Sequence, residues 1–123
     1  MRALVIDDSR TIRVILGKWL KESGIDVLEA GNGKQALEQM KLHPTIELIL
    51  VDWNMPEMNG LDFIKAVRAQ KVYDRVRILM VTSETESEQV TKALKAGANE
   101  YLMKPFSREI LIAKLDLLNI YEE

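Results

Sequence analysis

The feature that most restricts this chain is a regular alternation of two hydrophobic periods. Five short apolar runs, Ala3–Ile6, Ile25–Leu28, Leu48–Val51, Ile78–Val81 and Tyr101–Met103, read as strands. Three of them are continuous and rich in β-branched residues, the pattern of strands covered on both faces. The second alternates apolar and polar, which suits an edge strand. Between them the spacing changes to that of helices. Ile12, Ile15, Leu16, Trp19 and Leu20 share one helical face, stopped by Gly24. Ala36, Leu37 and Met40 mark a second helix, closed by His43-Pro44. Leu61, Phe63, Ile64 and Val67 mark a third, entered through Asn59-Gly60. Val90, Ala93 and Leu94 mark a fourth ending at Gly97, with Thr85 and Glu88 at capping-box spacing. Ser107 caps a fifth that buries Leu111, Leu115 and Leu118. Strand and helix alternating five times predicts an α/β fold, a doubly wound parallel sheet with helices on both faces. Strand ends near Asp7, Glu29, Asp52, Thr82 and Lys104 lie 22, 23, 30 and 22 residues apart, each interval one right-handed crossover.

In such sheets ligands bind at the carboxyl ends of the strands. Asp7 and Asp8 follow strand one, Asp52 ends strand three, Thr82 ends strand four and Lys104 ends strand five. Three carboxylates in one cleft repel, by about 1 kcal/mol per pair at 4 Å in water and more in a drier place. They call for a cation. The chain has no cysteine and one histidine. An acidic all-oxygen site therefore favours Mg2+, with Mn2+ as a substitute. Three carboxylates, a divalent ion and Lys104 carry no net charge, so an incoming phosphoryl group meets no net negative field. Asp52 can then act as nucleophile toward phosphorus, with the metal and Lys104 on the equatorial oxygens.

Each residue alone has an ordinary explanation. The acid pair suits a helix N-terminus, Asp52 a strand-ending turn, Thr82 a strand, Lys104 a solvated charge and Tyr101 a half-buried packing ring. Ordinary turns give no reason for acids, a hydroxyl and an amine at the ends of four strands. Trp19, Met40 and Met80 read as packing residues, and His43 as a solvated helix end.

Taken together, Asp7-Asp8, Asp52, Thr82 and Lys104-Pro105 resemble the receiver domain of bacterial two-component response regulators. The segment Asp52-Trp53-Asn54-Met55-Pro56 and the aromatic Tyr101 are most similar to its chemotaxis members. The resemblance covers residues 1–123 as one receiver domain. It implies the flavodoxin-like strand order 2-1-3-4-5 and a signalling switch rather than an enzyme, able to phosphorylate itself from small phosphodonors and to dephosphorylate itself. Asp52 resembles the phospho-acceptor, Lys104 and Thr82 its phosphoryl-binding partners, and Asp7, Asp8, Asp52 and the backbone carbonyl of Asn54 the Mg2+ site. Thr82 and Tyr101 resemble the switch pair, Lys104-Pro105 a cis bond, and Asn54 and Glu84 loop positions that modulate phosphate lifetime. The implied partners are a sensor histidine kinase of the chemotaxis type, a downstream protein such as a flagellar motor switch component, and a phosphatase. The implied output face is helix four, strand five and helix five, including Thr85, Tyr101 and Lys114.

Composition bounds the rest. Lys plus Arg total 17 against 19 Asp plus Glu, a net charge of −2, so no basic excess points to nucleic acid. Apolar runs of a few residues give no membrane span. The expectation is a cytoplasmic monomer that acts by docking, since a receiver of this length leaves no room for an output domain. The alternatives are a phosphorelay intermediate or the excised receiver of a longer regulator. An aspartyl-phosphate hydrolase would need a second acid where Asn54 stands. An FMN-binding flavodoxin would need a phosphate loop where Asp7-Asp8 stand.

Overall fold

The computed structural model describes residues 1–83 and 87–118. Its elements are β1 (Arg2–Ile6), α1 (Arg10–Glu22), β2 (Asp26–Ala30), α2 (Gly33–Leu42), β3 (Ile46–Asp52), α3 (Gly60–Arg68), β4 (Arg77–Ser83), α4 (Ser87–Ala96), β5 (Glu100–Lys104) and α5 (Arg108–Leu117). The five strands form one parallel sheet in the order β2-β1-β3-β4-β5, with the chain reversing its direction of travel between β1 and β3. This is the flavodoxin-like topology.

Strand parity divides the core. Leu4, Ile6, Ile49, Val51, Ile78 and Met80 face Ala36, Met40, Phe63, Ile64, Val67 and Ala93 of α2, α3 and α4. Ala3, Val5, Leu48, Leu50, Leu79, Val81 and Leu102 face Leu16, Leu20, Leu111 and Leu115 of α1 and α5. Alternate residues on both sides are buried, which is why β1, β3 and β4 read as continuous apolar runs.

Helix starts follow local chemistry. Ser9, Asn32, Asn59 and Ser107 each accept a hydrogen bond from the backbone N–H three residues on, satisfying one of the unpaired donors of a first turn. Gly24, at φ 83°, makes the left-handed turn after α1.

Three details depart from the sequence reading. The second strand starts at Asp26 and runs to Ala30, two residues beyond the apolar run. Pairing with all of β1 carries it through Glu29. Leu94 is 41% exposed rather than part of the core face of α4. It sits about 100° round the helix from the fully buried Ala93. A 3-10 turn, Lys71–Tyr73, precedes β4. Thr85, half of the capping-box reading, lies outside the described residues, as do Glu84 and Glu86. No helix among the described residues is long and apolar enough to cross a membrane.

Candidate functional site

The carboxyl edge of the sheet gathers the residues singled out by sequence. β1 ends at Ile6 and delivers Asp7. β3 ends at Asp52, β4 carries Thr82 in its last turn of pleat, and β5 ends at Lys104. Among the described residues, Asp7, Asp52 and Thr82 are the buried polar ones, at 2%, 5% and 1% exposure, while Asp8 is exposed. One carboxylate oxygen from each of Asp7, Asp8 and Asp52 lies within 4.8 Å of the others.

Each acid is held by local structure. The Asp7 Oδ1 accepts from the Ser9 N–H at 2.8 Å. The Arg13 guanidinium donates to the Asp7 carbonyl at 2.6 Å and pairs with Glu29 at 3.0 Å, tying α1 to β1 and β2. Behind Asp52, the Trp53 N–H extends the pairing to the Val81 carbonyl, and the Gly60 N–H returns to the Trp53 carbonyl. Gly60 is required there: a Cβ would lie 2.6 Å from the Asp52 carbonyl oxygen. The first turn of α3 is therefore pressed against the backbone of Asp52.

The Lys104 Nζ sits 3.2 Å from Asp52 Oδ1 and 3.7 Å from Asp7 Oδ2. One ammonium does not neutralise the cluster. Burial, then the charge of Asp7, pushes the Asp52 carboxyl up to about 6, with Lys104 pulling the other way. Burial also raises the Asp7 carboxyl, against the Ser9 N–H and Lys104. The Asp7 Oδ2 is buried with no hydrogen-bond donor on it among the described residues. Three oxygens in reach of one point, one without a donor, and raised carboxyl affinities for protons are what a hard divalent cation would relieve. The donor set fits Mg2+.

Tyr101 is half-buried in β5, and register places it opposite Met80 on the sheet face that carries Thr82. Trp53 is buried next to Asp52. Asn54 is exposed in the β3–α3 loop. The Lys104-Pro105 bond is cis. Of the other residues named from sequence, Glu84 and Thr85 lie outside the described residues. Sequence reasoning missed Arg13 and the close approach of Gly60. The Asn59-Gly60 pair was legible as a helix entry, but nothing local signals its contact with Asp52.

Comparison with known proteins gives the family and the fold. The response regulator receiver domain family model matches residues 3–116. The chemotaxis protein CheY1 of Helicobacter pylori (strain J99) is 44% identical over 119 residues, 96% of each chain. The solved structure of Vibrio cholerae chemotaxis protein CheY4 superposes with a TM-score of 0.88 at 37% identity, over 95% of this chain and 97% of that one. A solved two-component response regulator/GGDEF domain protein superposes with a TM-score of 0.92 at 30% identity over 98% of this chain, which spans 49% of that longer protein.

Proposed function

The chain belongs to the response regulator receiver domain family, and from that premise we propose that it is a phosphorylation-controlled docking module of chemotaxis type. We take residues 1–123 as one receiver domain. The observation that carries the reading is Lys104 bridging the two buried, mutually repelling carboxylates Asp52 and Asp7.

Asp52 is the acceptor. Its carboxylate oxygen attacks the phosphorus of a phosphohistidine on a sensor kinase. The new O–P bond forms as the P–N bond breaks, the P–N electron pair stays on that nitrogen, and the proton already on the other ring nitrogen lets the imidazole leave neutral. Asp7, Asp8, Asp52 and the Asn54 carbonyl would hold Mg2+ or Mn2+, which supplies positive charge to the phosphoryl oxygens. Lys104 moves from the carboxylate to a phosphoryl oxygen, a charge-assisted contact. Thr82 donates its hydroxyl to another. Its movement opens space on the α4 face of the sheet, into which Tyr101 repacks. The changed surface of α4, β5 and α5 docks onto a downstream protein, for which a flagellar motor switch component is the leading candidate. The modification biases two arrangements of one face rather than building a new one. The module works as a monomer in the cytoplasm, without nucleic acid. A phosphatase, or water, ends the signal.

The test uses acetyl phosphate with Mg2+. The expected result is one phosphoryl group on Asp52 by intact mass, lost in Asp52→Asn, and a change in Trp fluorescence with beryllofluoride and Mg2+. No modification and no fluorescence change would sink the reading. The superposition on a longer regulator supports a second reading, a receiver working within a larger chain. An immunoblot of the native protein separates the two by mass.

A further inference from the structure

A second charged cluster lies at the free edge of the sheet, away from the acids. Strand parity sends Glu100, like the buried Leu102, toward the α5 side and sends Tyr101 toward the α4 side. Lys114 of α5 reaches both. Its Nζ is 3.1 Å from Glu100 Oε1 and 3.9 Å from the centroid of the Tyr101 ring. The same Glu100 oxygen accepts from the Tyr101 N–H at 3.0 Å. The Lys114 and Glu100 side chains are only 18% and 21% exposed, so this pair is less screened than a surface ion pair.

The arrangement joins three things that a simple surface pair would leave separate. The carboxylate is anchored on the backbone of Tyr101 itself. It fixes the ammonium, and the ammonium lies over the ring, where the electron-rich face attracts it. The ring thus has an electrostatic reason to stay where it is. A ring that turns toward the space beside Thr82 gives up that contact.

We infer that Glu100 and Lys114 are positioning residues for Tyr101: the anchored ammonium holds the ring in its resting orientation and sets how far the unphosphorylated domain leans toward rest. The inference rests on the reading above, in which Tyr101 repacks. It deepens that reading by naming the groups that oppose the movement. Because Lys114 belongs to α5 and Tyr101 to β5, the same contact couples two elements of the proposed output face.

The experiment is 19F NMR on protein labelled with fluorotyrosine, with the Tyr101 signal assigned through Tyr101→Phe. Wild type, Lys114→Met, Glu100→Gln and Lys114→Arg are compared with and without beryllofluoride and Mg2+. In wild type the Tyr101 signal is expected to move on adding beryllofluoride. In Lys114→Met and Glu100→Gln the unliganded signal should already lie part-way along that shift, with the repacked population raised roughly three- to ten-fold. Lys114→Arg should stay near wild type, because a guanidinium also pairs with a carboxylate and stacks on a ring. Melting temperatures of the same proteins separate a change of ring position from general loosening. An unliganded Tyr101 signal unmoved in both Lys114→Met and Glu100→Gln overturns the inference, even where beryllofluoride moves the wild-type signal. Movement in the variants with no response of wild type to beryllofluoride leaves the latch standing and removes the switch reading.

Discussion

At the amino ends of β4 and β5 and at the carboxyl ends of β1 and β3, the molecule handles charge in two different ways. At the amino ends, Arg68 runs between α3 and the loops that enter both strands. Its guanidinium donates to the carbonyls of Gly97, Tyr73 and Val76 at 3.0, 2.8 and 2.7 Å and to Asn99 Oδ1 at 3.0 Å. The Asn99 oxygen also accepts from the Ile78 N–H. A Cβ on Gly97 would collide with the Arg68 side chain, so the packing is as tight as the bonding. At the carboxyl ends, Asp7 and Asp52 are more deeply buried than Arg68, yet share one ammonium and leave Asp7 Oδ2 without a hydrogen-bond donor among the described residues. The contrast separates a charge that serves architecture from a cluster that makes a site. A satisfied charge holds elements together. An unsatisfied cluster of like charge is one that a bound cation would complete.

The largest test removes the satisfied charge. Arg68→Ala should cost roughly 3–4 kcal/mol in urea unfolding, because several part-buried carbonyls lose a charged donor at once, while Mg2+ affinity of the folded protein stays unchanged. A loss below about 1 kcal/mol would erase the contrast between the two ends.

Next comes the unsatisfied end. The Asp52 carboxyl lies at about 6 in the fold against an ordinary 3.8, so the folded chain binds this proton more tightly than the unfolded one. Its destabilising contribution is fully present above about pH 6 and fades as pH falls toward 3.8. Metal-free wild type should therefore gain stability relative to Asp52→Asn on acidification from pH 7, by up to about 3 kcal/mol. At neutral pH, Asp52→Asn should be the more stable protein by melting. Equal pH profiles for the two would show that the cluster carries no such strain.

A smaller effect follows from adding the ion. At ten times its dissociation constant, Mg2+ should stabilise the folded domain by about 1.4 kcal/mol at pH 7. That gain should shrink as pH falls below about 6, where protons compete for Asp52, and vanish in Asp7→Asn. Thermal shift with and without Mg2+ at pH 5 and 7 reads both arms. The smallest effect is Ser107→Ala, which removes the side-chain N-cap of α5 without touching Arg68 or a member of the acidic cluster. About 1 kcal/mol of stability should go, with no change in pH profile or metal response.

How much was legible beforehand differs between elements for a physical reason. The caps Ser107 and Asn59 act within three residues, and the apolar periods within a turn or a pleat, so both are visible in the chain. The strand-end acids are visible because a parallel sheet puts every strand's carboxyl end on one edge. Leu94 was misplaced because a helix stripe read from three residues cannot distinguish adjacent 100° positions. The contacts of Arg68 with Gly97, Arg13 with Glu29 and Lys114 with Glu100 and Tyr101 left no local signal, since they join different elements.

The chain alone was enough for the order of elements, the caps Asn59 and Ser107, the edge at which Asp7, Asp8, Asp52, Thr82 and Lys104 meet, and the family they resemble. These depend on local spacing and on the handedness of crossovers. Packing of the whole chain decided how dry that edge is, that Asp7 and Asp52 both bind protons more tightly than ordinary carboxylates, where Gly60 presses on Asp52, and which lysine lies over Tyr101. Those depend on burial and on distances between groups far apart in the chain, and Coulomb energies are set by the medium that the packed fold creates.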